Sequence, residues 1–318
     1  MKILANDGIA ANGKEALEAA GHEVLETKVA QEQLADYIVE NKVDVLLVRS
    51  ATKVREDMID IVADQLKMIG RGGVGMDNID VEYARNKGIY VFNTPASSSQ
   101  SVAELVMAHL WGMVRFLHDS NRQMPLEGET NFKDLKKAYG KGIELQGKTL
   151  GIIGCGRIGQ ALAKMAVGVG MNVICHDRNG NNVDITLTFA NGASIDYSVD
   201  NVSMDDLLAK SDFISIHVSG AGKCIIGEPE MKKMKAGSFI VNTARGGSID
   251  EVALLSQLED GHIAGAALDV FVNEPTPAMQ VLMNRYVSLS PHIGAATKEA
   301  QDRIAMEIAD IVNEGVPA

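Results

Sequence analysis

Three residue types late in the sequence are suited to an anionic, oxidisable molecule. Arg245 sits in Val241-Asn242-Thr243-Ala244-Arg245-Gly246-Gly247, where an apolar run gives way to a polar turn. Its guanidinium offers planar, permanently charged, bidentate recognition of a carboxylate. His292 lies in Pro291-His292-Ile293-Gly294, and two acids, Asp269 and Glu274, follow another apolar run in Asp269-Val270-Phe271-Val272-Asn273-Glu274-Pro275. An acid beside a histidine raises the imidazole's proton affinity and fixes its tautomer. The pair can then exchange a proton with an alcohol or carbonyl oxygen. Taken singly, such an arginine is more often salt-bridged or solvated and such a histidine more often structural; the set is what points to chemistry.

Proton exchange at a carbon-bound oxygen becomes oxidation or reduction when a hydride carrier is present. Gly154-Cys155-Gly156-Arg157-Ile158-Gly159 follows the apolar Leu150-Gly151-Ile152-Ile153 and precedes a helix-like Gln160-Ala161-Leu162-Ala163-Lys164-Met165. This strand, tight turn and helix form a dinucleotide fingerprint. Gly154 allows the turn, Gly156 lets backbone approach a pyrophosphate, and Gly159 lets helix pack on strand. The helix N-terminus faces the phosphate charge. A second β-rich run, Asn172-Val173-Ile174-Cys175-His176, ends in Asp177, placed to accept from the ribose hydroxyls and to repel a 2′-phosphate, so NAD is expected over NADP.

The elements that must position these residues alternate. In the first third, β runs at 2–6, 23–26, 43–49, 67–70 and 90–93 are separated by helices near 12–20, 31–41, 55–63 and 81–87, which predicts a parallel α/β sheet. Asn93-Thr94-Pro95-Ala96-Ser97-Ser98-Ser99-Gln100-Ser101 reads as a hinge that caps a long helix from Val102 to about Asp119. After the fingerprint, runs at 213–218, 238–242 and 264–269 continue a doubly wound sheet. Residues 184–198, with their Asn191-Gly192 turn, read as a surface hairpin. A second break at Ser290-Pro291-His292-Ile293-Gly294 precedes a last helix, Lys298 to Asn313, which is expected to return to the first domain and so frame a cleft between two lobes.

Composition narrows the partners. With 318 residues there is chain enough for two cores, and the net charge of −12 disfavours nucleic acid and anionic membrane. An anionic substrate then needs a local basic pocket. Cys155, Cys175 and Cys224 follow no pairing or metal pattern and read as small apolar fillers in a reducing cytoplasm; no metal site is expected. There is neither a signal-like apolar segment at Met1-Lys2-Ile3-Leu4 nor a run long enough to span a bilayer, so the expectation is a soluble protein.

Together, Gly-x-Gly-Arg-Ile-Gly, Asn-Thr-Ala-Arg-Gly-Gly, Ala-Ala-Leu-Asp-Val-Phe with Glu274-Pro275, and Pro-His-Ile-Gly-Ala-Ala-Thr resemble the D-isomer-specific 2-hydroxyacid dehydrogenases over essentially the whole chain. The resemblance implies that Arg245 binds substrate carboxylate and carbonyl oxygen, that His292 is the acid-base with Glu274 as partner, that Asp269 meets the nicotinamide carboxamide, and that Thr243 and Ala244 line the NAD site. It further implies two doubly wound parallel-sheet domains. A Rossmann NAD domain, residues 98–292, is inserted into a flavodoxin-like substrate domain, residues 1–97 and 293–318, and a homodimer is built around the cofactor domain.

Within the family, Val48-Arg49-Ser50-Ala51-Thr52-Lys53-Val54, Gly70-Arg71-Gly72-Gly73-Val74-Gly75-Met76-Asp77-Asn78-Ile79-Asp80 and Thr297-Lys298-Glu299-Ala300-Gln301 are most similar to the 3-phosphoglycerate dehydrogenases. That likeness implies a phosphorylated 2-hydroxy acid, reached at its far end by Arg49, Arg71 and Lys53, with Ser50, Gly72, Gly73 and Val74 beside it and backbone amides of residues 72–75 offering a nest for the carboxylate. Alternatives are a sister enzyme for glyoxylate, hydroxypyruvate or D-lactate, and an NAD-dependent corepressor-like binding protein. Two departures stand out. Ser219-Gly220-Ala221-Gly222-Lys223-Cys224 replaces a longer, proline-containing loop on the adenosine side. The sequence also ends at Ala318, short of the serine-sensing domain of long members, so feedback inhibition through such a domain is not expected.

Overall fold

Short apolar runs alternating with amphipathic helices make two parallel sheets in the computed structural model, which describes residues 1–218 and 223–317. The chain divides into two units, one of Met1–Ser99 with Ala295–Ala318 and one of Gln100–Gly294.

In the first unit, β1 (Lys2–Ala5), β2 (Glu23–Leu25), β3 (Val45–Val48), β4 (Met68–Arg71) and β5 (Tyr90–Asn93) form a parallel sheet in the order β2-β1-β3-β4-β5. This is the flavodoxin-like order. Helices on both faces bury the strands twice over, so β3 is an unbroken apolar run, Val45-Leu46-Leu47-Val48. One face packs Leu34, Ile38, Leu46, Ile59 and Ile69; the other packs Ile3, Leu17, Leu47 and Phe92 against Ile304, Ile308 and Val312 of the last helix, Lys298–Glu314. Thr297 caps that helix, its side chain accepting from the Ala300 N–H. It lies so close to the helix Ala11–Ala19 that a Cβ at Gly13 would stand 2.5 Å from Ala305 Cβ and 2.6 Å from its carbonyl oxygen.

In the second unit, β6 (Thr149–Ile153), β7 (Asn172–His176), β8 (Val183–Thr188), β9 (Ser194–Asn201), β10 (Phe213–Ile216), β11 (Ser238–Asn242), β12 (Ile263–Leu268) and β13 (Val287–Leu289) make one sheet, ordered β13-β12-β11-β10-β6-β7-β9-β8. All neighbours are parallel except β8 and β9. Strand order reverses direction at β6, as a doubly wound nucleotide-binding sheet requires.

Several local expectations are corrected. The long helix ends at Val114; Phe116 is left-handed (φ 55°) and a second helix, Leu117–Glu127, follows. The break lets buried Asp119 meet Arg285 Nη2 at 2.9 Å and Tyr139 Oη at 2.8 Å. The 184–198 hairpin is present but is no appendage, because Asp200 and Asn201 of β9 pair with β7 and extend the main sheet. Cys155 and Cys175 are buried fillers, whereas Cys224 is exposed. Of the distinctive loop, Ser219–Gly222 lies outside the described residues.

The Gly13 contact separates two opposed effects. Helix propensity alone would make Gly13→Ala stabilising by about 1 kcal/mol, whereas a methyl driven into the Ala305 backbone should cost about 1–3 kcal/mol. Packing should win, and a lowered midpoint in urea or thermal unfolding checks it.

Candidate active site

Parallel strands end together, and the carboxyl edge of an open α/β sheet is where ligands bind. In the second unit β6 runs into Gly154, β7 into Asp177, β11 into Thr243-Ala244-Arg245, β12 into Asp269 and β13 into Ser290-Pro291-His292. All the sequence candidates of this unit therefore gather at one edge.

The glycine turn has the shape its sequence demands. Gly154 has φ +91°, and a Cβ there would stand 2.8 Å from the His217 carbonyl oxygen. At Gly159 a Cβ would lie 2.4 Å from Gly154 O, so the helix Arg157–Gly168 packs onto the turn only without a side chain there. At Gly156 a Cβ would meet nothing within 4 Å, leaving that backbone facing open space at the helix N-terminus. Arg157 is exposed and Ile158 half-buried beside it. Asp177 accepts from the Cys155 N–H at 3.1 Å, tying the second strand's end to the turn. Asn201, which the sequence reading did not single out, holds Asp177 in place by accepting from its N–H at 3.1 Å and donating to its carbonyl at 3.0 Å. The Thr243 hydroxyl is buried with no hydrogen-bond partner among the described residues. An open cradle at a helix N-terminus and an orphaned hydroxyl on the same sheet edge fit a dinucleotide.

Farther along the same sheet, at the ends of β11, β12 and β13, stand the polar groups that the sequence singled out. His292 Nδ1 lies 2.8 Å from Glu274 Oε2, and Glu274 Oε1 accepts from the Phe271 N–H at 2.9 Å. The carboxylate is thus held at both oxygens, and with His292 donating through Nδ1 the Nε2 lone pair is the one available for proton exchange. Glu274, not Asp269, is the acid that meets the histidine. Asp269 is buried and accepts from Ser290 Oγ at 2.6 Å, Ile293 N–H at 2.9 Å and Gly294 N–H at 2.9 Å. Those bonds bracket His292, whose φ of 54° is unusual for a non-glycine residue and costs about 1–3 kcal/mol.

Arg245 is half-buried, its Nη1 donating to Ala244 O at 2.6 Å, and buried Asn242 donates to Arg245 O at 2.8 Å. A Cβ on Gly246 would fall 1.8 Å from Phe271 O, so the arginine loop presses directly on the loop carrying Glu274. His292 is the histidine suited to proton traffic here, being partly exposed and carboxylate-paired. His217, by contrast, is half-buried and hydrogen-bonded to Ser215 rather than to a carboxylate, and burial pushes its pKa down to about 4.

In the first unit, Arg49 follows β3 and Arg71 ends β4, both half-buried, so the same sheet edge carries them. Residues that the sequence reading passed over shape this edge. Asp7 accepts from the Arg49 N–H at 2.7 Å and the Thr52 hydroxyl at 2.8 Å, and Asn78 donates to Arg49 O at 2.8 Å and Thr52 O at 2.6 Å. The Arg71 guanidinium lies against Gly73, where a Cβ would stand 1.7 Å from Nη1. The expected nest is half committed: Gly72 N–H donates to Val48 O at 2.9 Å and Gly73 N–H to Thr94 Oγ1 at 2.7 Å. Ser50 and Val74 are exposed. Among the described residues no group of three His, Cys, Asp or Glu is arranged to hold a metal, and no helix is long and apolar enough to cross a membrane.

Comparison with known proteins agrees with this geometry. The NAD binding domain of the D-isomer specific 2-hydroxyacid dehydrogenases matches residues 107–294. A D-3-phosphoglycerate dehydrogenase of Methanocaldococcus jannaschii is 41% identical over 99% of this chain, which spans 57% of that relative's length. A hydroxypyruvate reductase of Thermotoga maritima is 42% identical, with 91% of this chain and 89% of the relative covered. A solved glyoxylate reductase from Paecilomyes thermophila is 30% identical with a TM-score of 0.81, covering 98% of this chain and 93% of that one. The matched domain's cofactor is NAD.

Asp177 should set the choice between the two nicotinamide cofactors. Its carboxylate should disfavour a 2′-phosphate by about 1–3 kcal/mol, so kcat/KM with NADH should exceed that with NADPH and Asp177→Ala should narrow the ratio. Equal kcat/KM for the two cofactors in the unaltered protein would refute the assignment.

Proposed function

This chain belongs to the D-isomer specific 2-hydroxyacid dehydrogenases, and on that premise we propose that it oxidises 3-phospho-D-glycerate to 3-phosphohydroxypyruvate with NAD, the first step of serine biosynthesis. The observation that carries the catalytic part is the His292 Nδ1 to Glu274 Oε2 contact of 2.8 Å at the sheet edge that holds the glycine turn. Gly154, Gly156, Gly159, Asp177, Thr243 and Ala244 would hold the cofactor, which would supply a hydride acceptor for the substrate carbon. His292 Nε2 takes the hydroxyl proton as that hydride leaves. The imidazolium so formed is stabilised by the Glu274 carboxylate, itself aimed by the Phe271 N–H. Arg245 binds the substrate carboxylate through charge-assisted hydrogen bonds.

The distal phosphate is assigned to Arg49 and Arg71, with Lys53 as an accessory and the amides of Val74 and Gly75 available beyond those already committed. Relatives named D-3-phosphoglycerate dehydrogenase support this substrate. A second reading, reduction of unphosphorylated hydroxypyruvate, is favoured by one particular: the hydroxypyruvate reductase relative matches at 42% identity over 89% of its own length. A homodimer is supported by the exposed Trp111, Leu117, Leu126 and Phe132 on helices of the NAD unit.

His292→Ala should reduce turnover by about a hundred-fold or more while NADH affinity, read by fluorescence titration, stays nearly unchanged; Glu274→Gln should reduce it about ten- to a hundred-fold. A His292→Ala variant that keeps most of its turnover would overturn the acid-base assignment.

The substrate assignment has a selective signature. Each charge-assisted contact is worth about 1.5–3 kcal/mol, so Arg49→Ala or Arg71→Ala should lower kcat/KM for 3-phosphohydroxypyruvate about ten- to a hundred-fold. Hydroxypyruvate should be much less affected by either change, and Arg245→Ala should damage both substrates. Higher kcat/KM for hydroxypyruvate or glyoxylate in the unaltered enzyme would select the second reading.

A further inference from the structure

Ser288, His109, Ser290 and Asp269 form a continuous hydrogen-bonded chain that ends beneath the loop carrying His292. His109 comes from the distant helix Ser99–Val114 and is 6% exposed. Its Nδ1 lies 2.9 Å from Ser288 Oγ and its Nε2 3.0 Å from Ser290 Oγ, while Ser290 Oγ lies 2.6 Å from Asp269 Oδ1.

Proton counting fixes the direction of every bond. The Asp269 carboxylate can only accept, so the Ser290 hydroxyl spends its one proton there. Ser290 Oγ must then accept from His109, which places a proton on Nε2. Burial holds His109 below the ordinary histidine range, with His118 adding to that effect and Asp269 opposing it. The ring is therefore neutral, and Nδ1 accepts from the Ser288 hydroxyl.

The far end of this chain matters because, among the described residues, the Ser290–Gly294 loop is tied largely through Asp269, with the His292–Glu274 contact beside it. Asp269 also accepts from the N–H groups of Ile293 and Gly294, and Ser290 N–H donates to Leu268 O at 3.1 Å. Between these anchors His292 holds its left-handed φ of 54°. A Ser290 hydroxyl free to rotate would remove one of the three donors to Asp269 and loosen the segment at the reacting histidine.

We propose that His109 is a positioning residue for the acid-base histidine: as its Nε2–H tautomer it locks the Ser290 hydroxyl onto Asp269 and so fixes the loop that presents His292. The proposal rests on the role given to His292 above.

The test uses the full chain with NADH and whichever of hydroxypyruvate or 3-phosphohydroxypyruvate it reduces faster. His109→Phe should lower kcat about ten-fold with NADH affinity within about two-fold of the parent. His109→Gln, whose amide can donate to Ser290 and accept from Ser288, should restore at least half of that loss on a logarithmic scale. Ser290→Ala should lower kcat comparably, and adding His109→Phe to it should cost less than about a further two-fold, because the two changes cut one chain. A folded His109→Phe protein with unaltered kcat, or losses that multiply fully in the double variant, would overturn the proposal. If His109→Phe does not fold, an unaltered kcat in Ser290→Ala overturns it, and a lowered kcat in Ser290→Ala with near-parent kcat in His109→Gln supports it. His292→Ala keeps the two readings apart: lost turnover there with none lost in the His109 variants rejects the relay alone, whereas turnover surviving in His292→Ala rejects both.

Discussion

A carboxylate taken out of water is costly unless hydrogen bonds replace its hydration, and Asp269, buried at the end of β12, is the case on which the site turns. Its oxygens accept from one hydroxyl and two backbone amides of the segment after β13. The acid and the segment therefore secure each other. Because β11, β12 and β13 are adjacent and parallel, the same edge also carries the Arg245 turn and the Glu274 loop, joined where Gly246 meets Phe271. The histidine, its carboxylate and the arginine are thus placed by backbone geometry before any side chain chooses a rotamer.

That arrangement separates two duties that acids often share. Glu274 remains partly exposed and faces the imidazole, where its charge can answer a proton arriving on the ring. Asp269 is committed to backbone and hydroxyl donors. By family resemblance Asp269 would meet the nicotinamide carboxamide; what the structure adds is its tie to the histidine loop.

The sequence was legible wherever the physical requirement is local. A tight turn, a close helix approach and an open backbone need glycine at fixed offsets, so Gly154, Gly156 and Gly159 could be read directly, as could the end of β7 at Asp177. The apolar runs of β1, β3 and β4 announced themselves because both sheet faces are covered. What stayed hidden depends on partners far away in the chain. Asn201 supports Asp177, Asp7 and Asn78 shape the Arg49 loop, and His109 reaches Ser288 and Ser290 across some 180 residues, |i−j| being 179 and 181. No periodicity marks such residues. The break at Phe116 was equally silent, since Asp119 turns inward only because Arg285 and Tyr139 await it.

The last helix gives the fold an order of assembly. Ile304, Ile308 and Val312 complete the core that begins with Ile3 and Leu17, and Ala305 closes over Gly13. On a ribosome the first ninety-nine residues emerge long before that helix does, with the whole NAD unit, Gln100–Gly294, translated in between. One apolar face of the early sheet must wait uncovered, a contact of very high sequence separation that slows folding and exposes the nascent chain to association. The inserted unit is one continuous stretch of chain and can fold meanwhile, so the unit whose synthesis begins first is the one completed last.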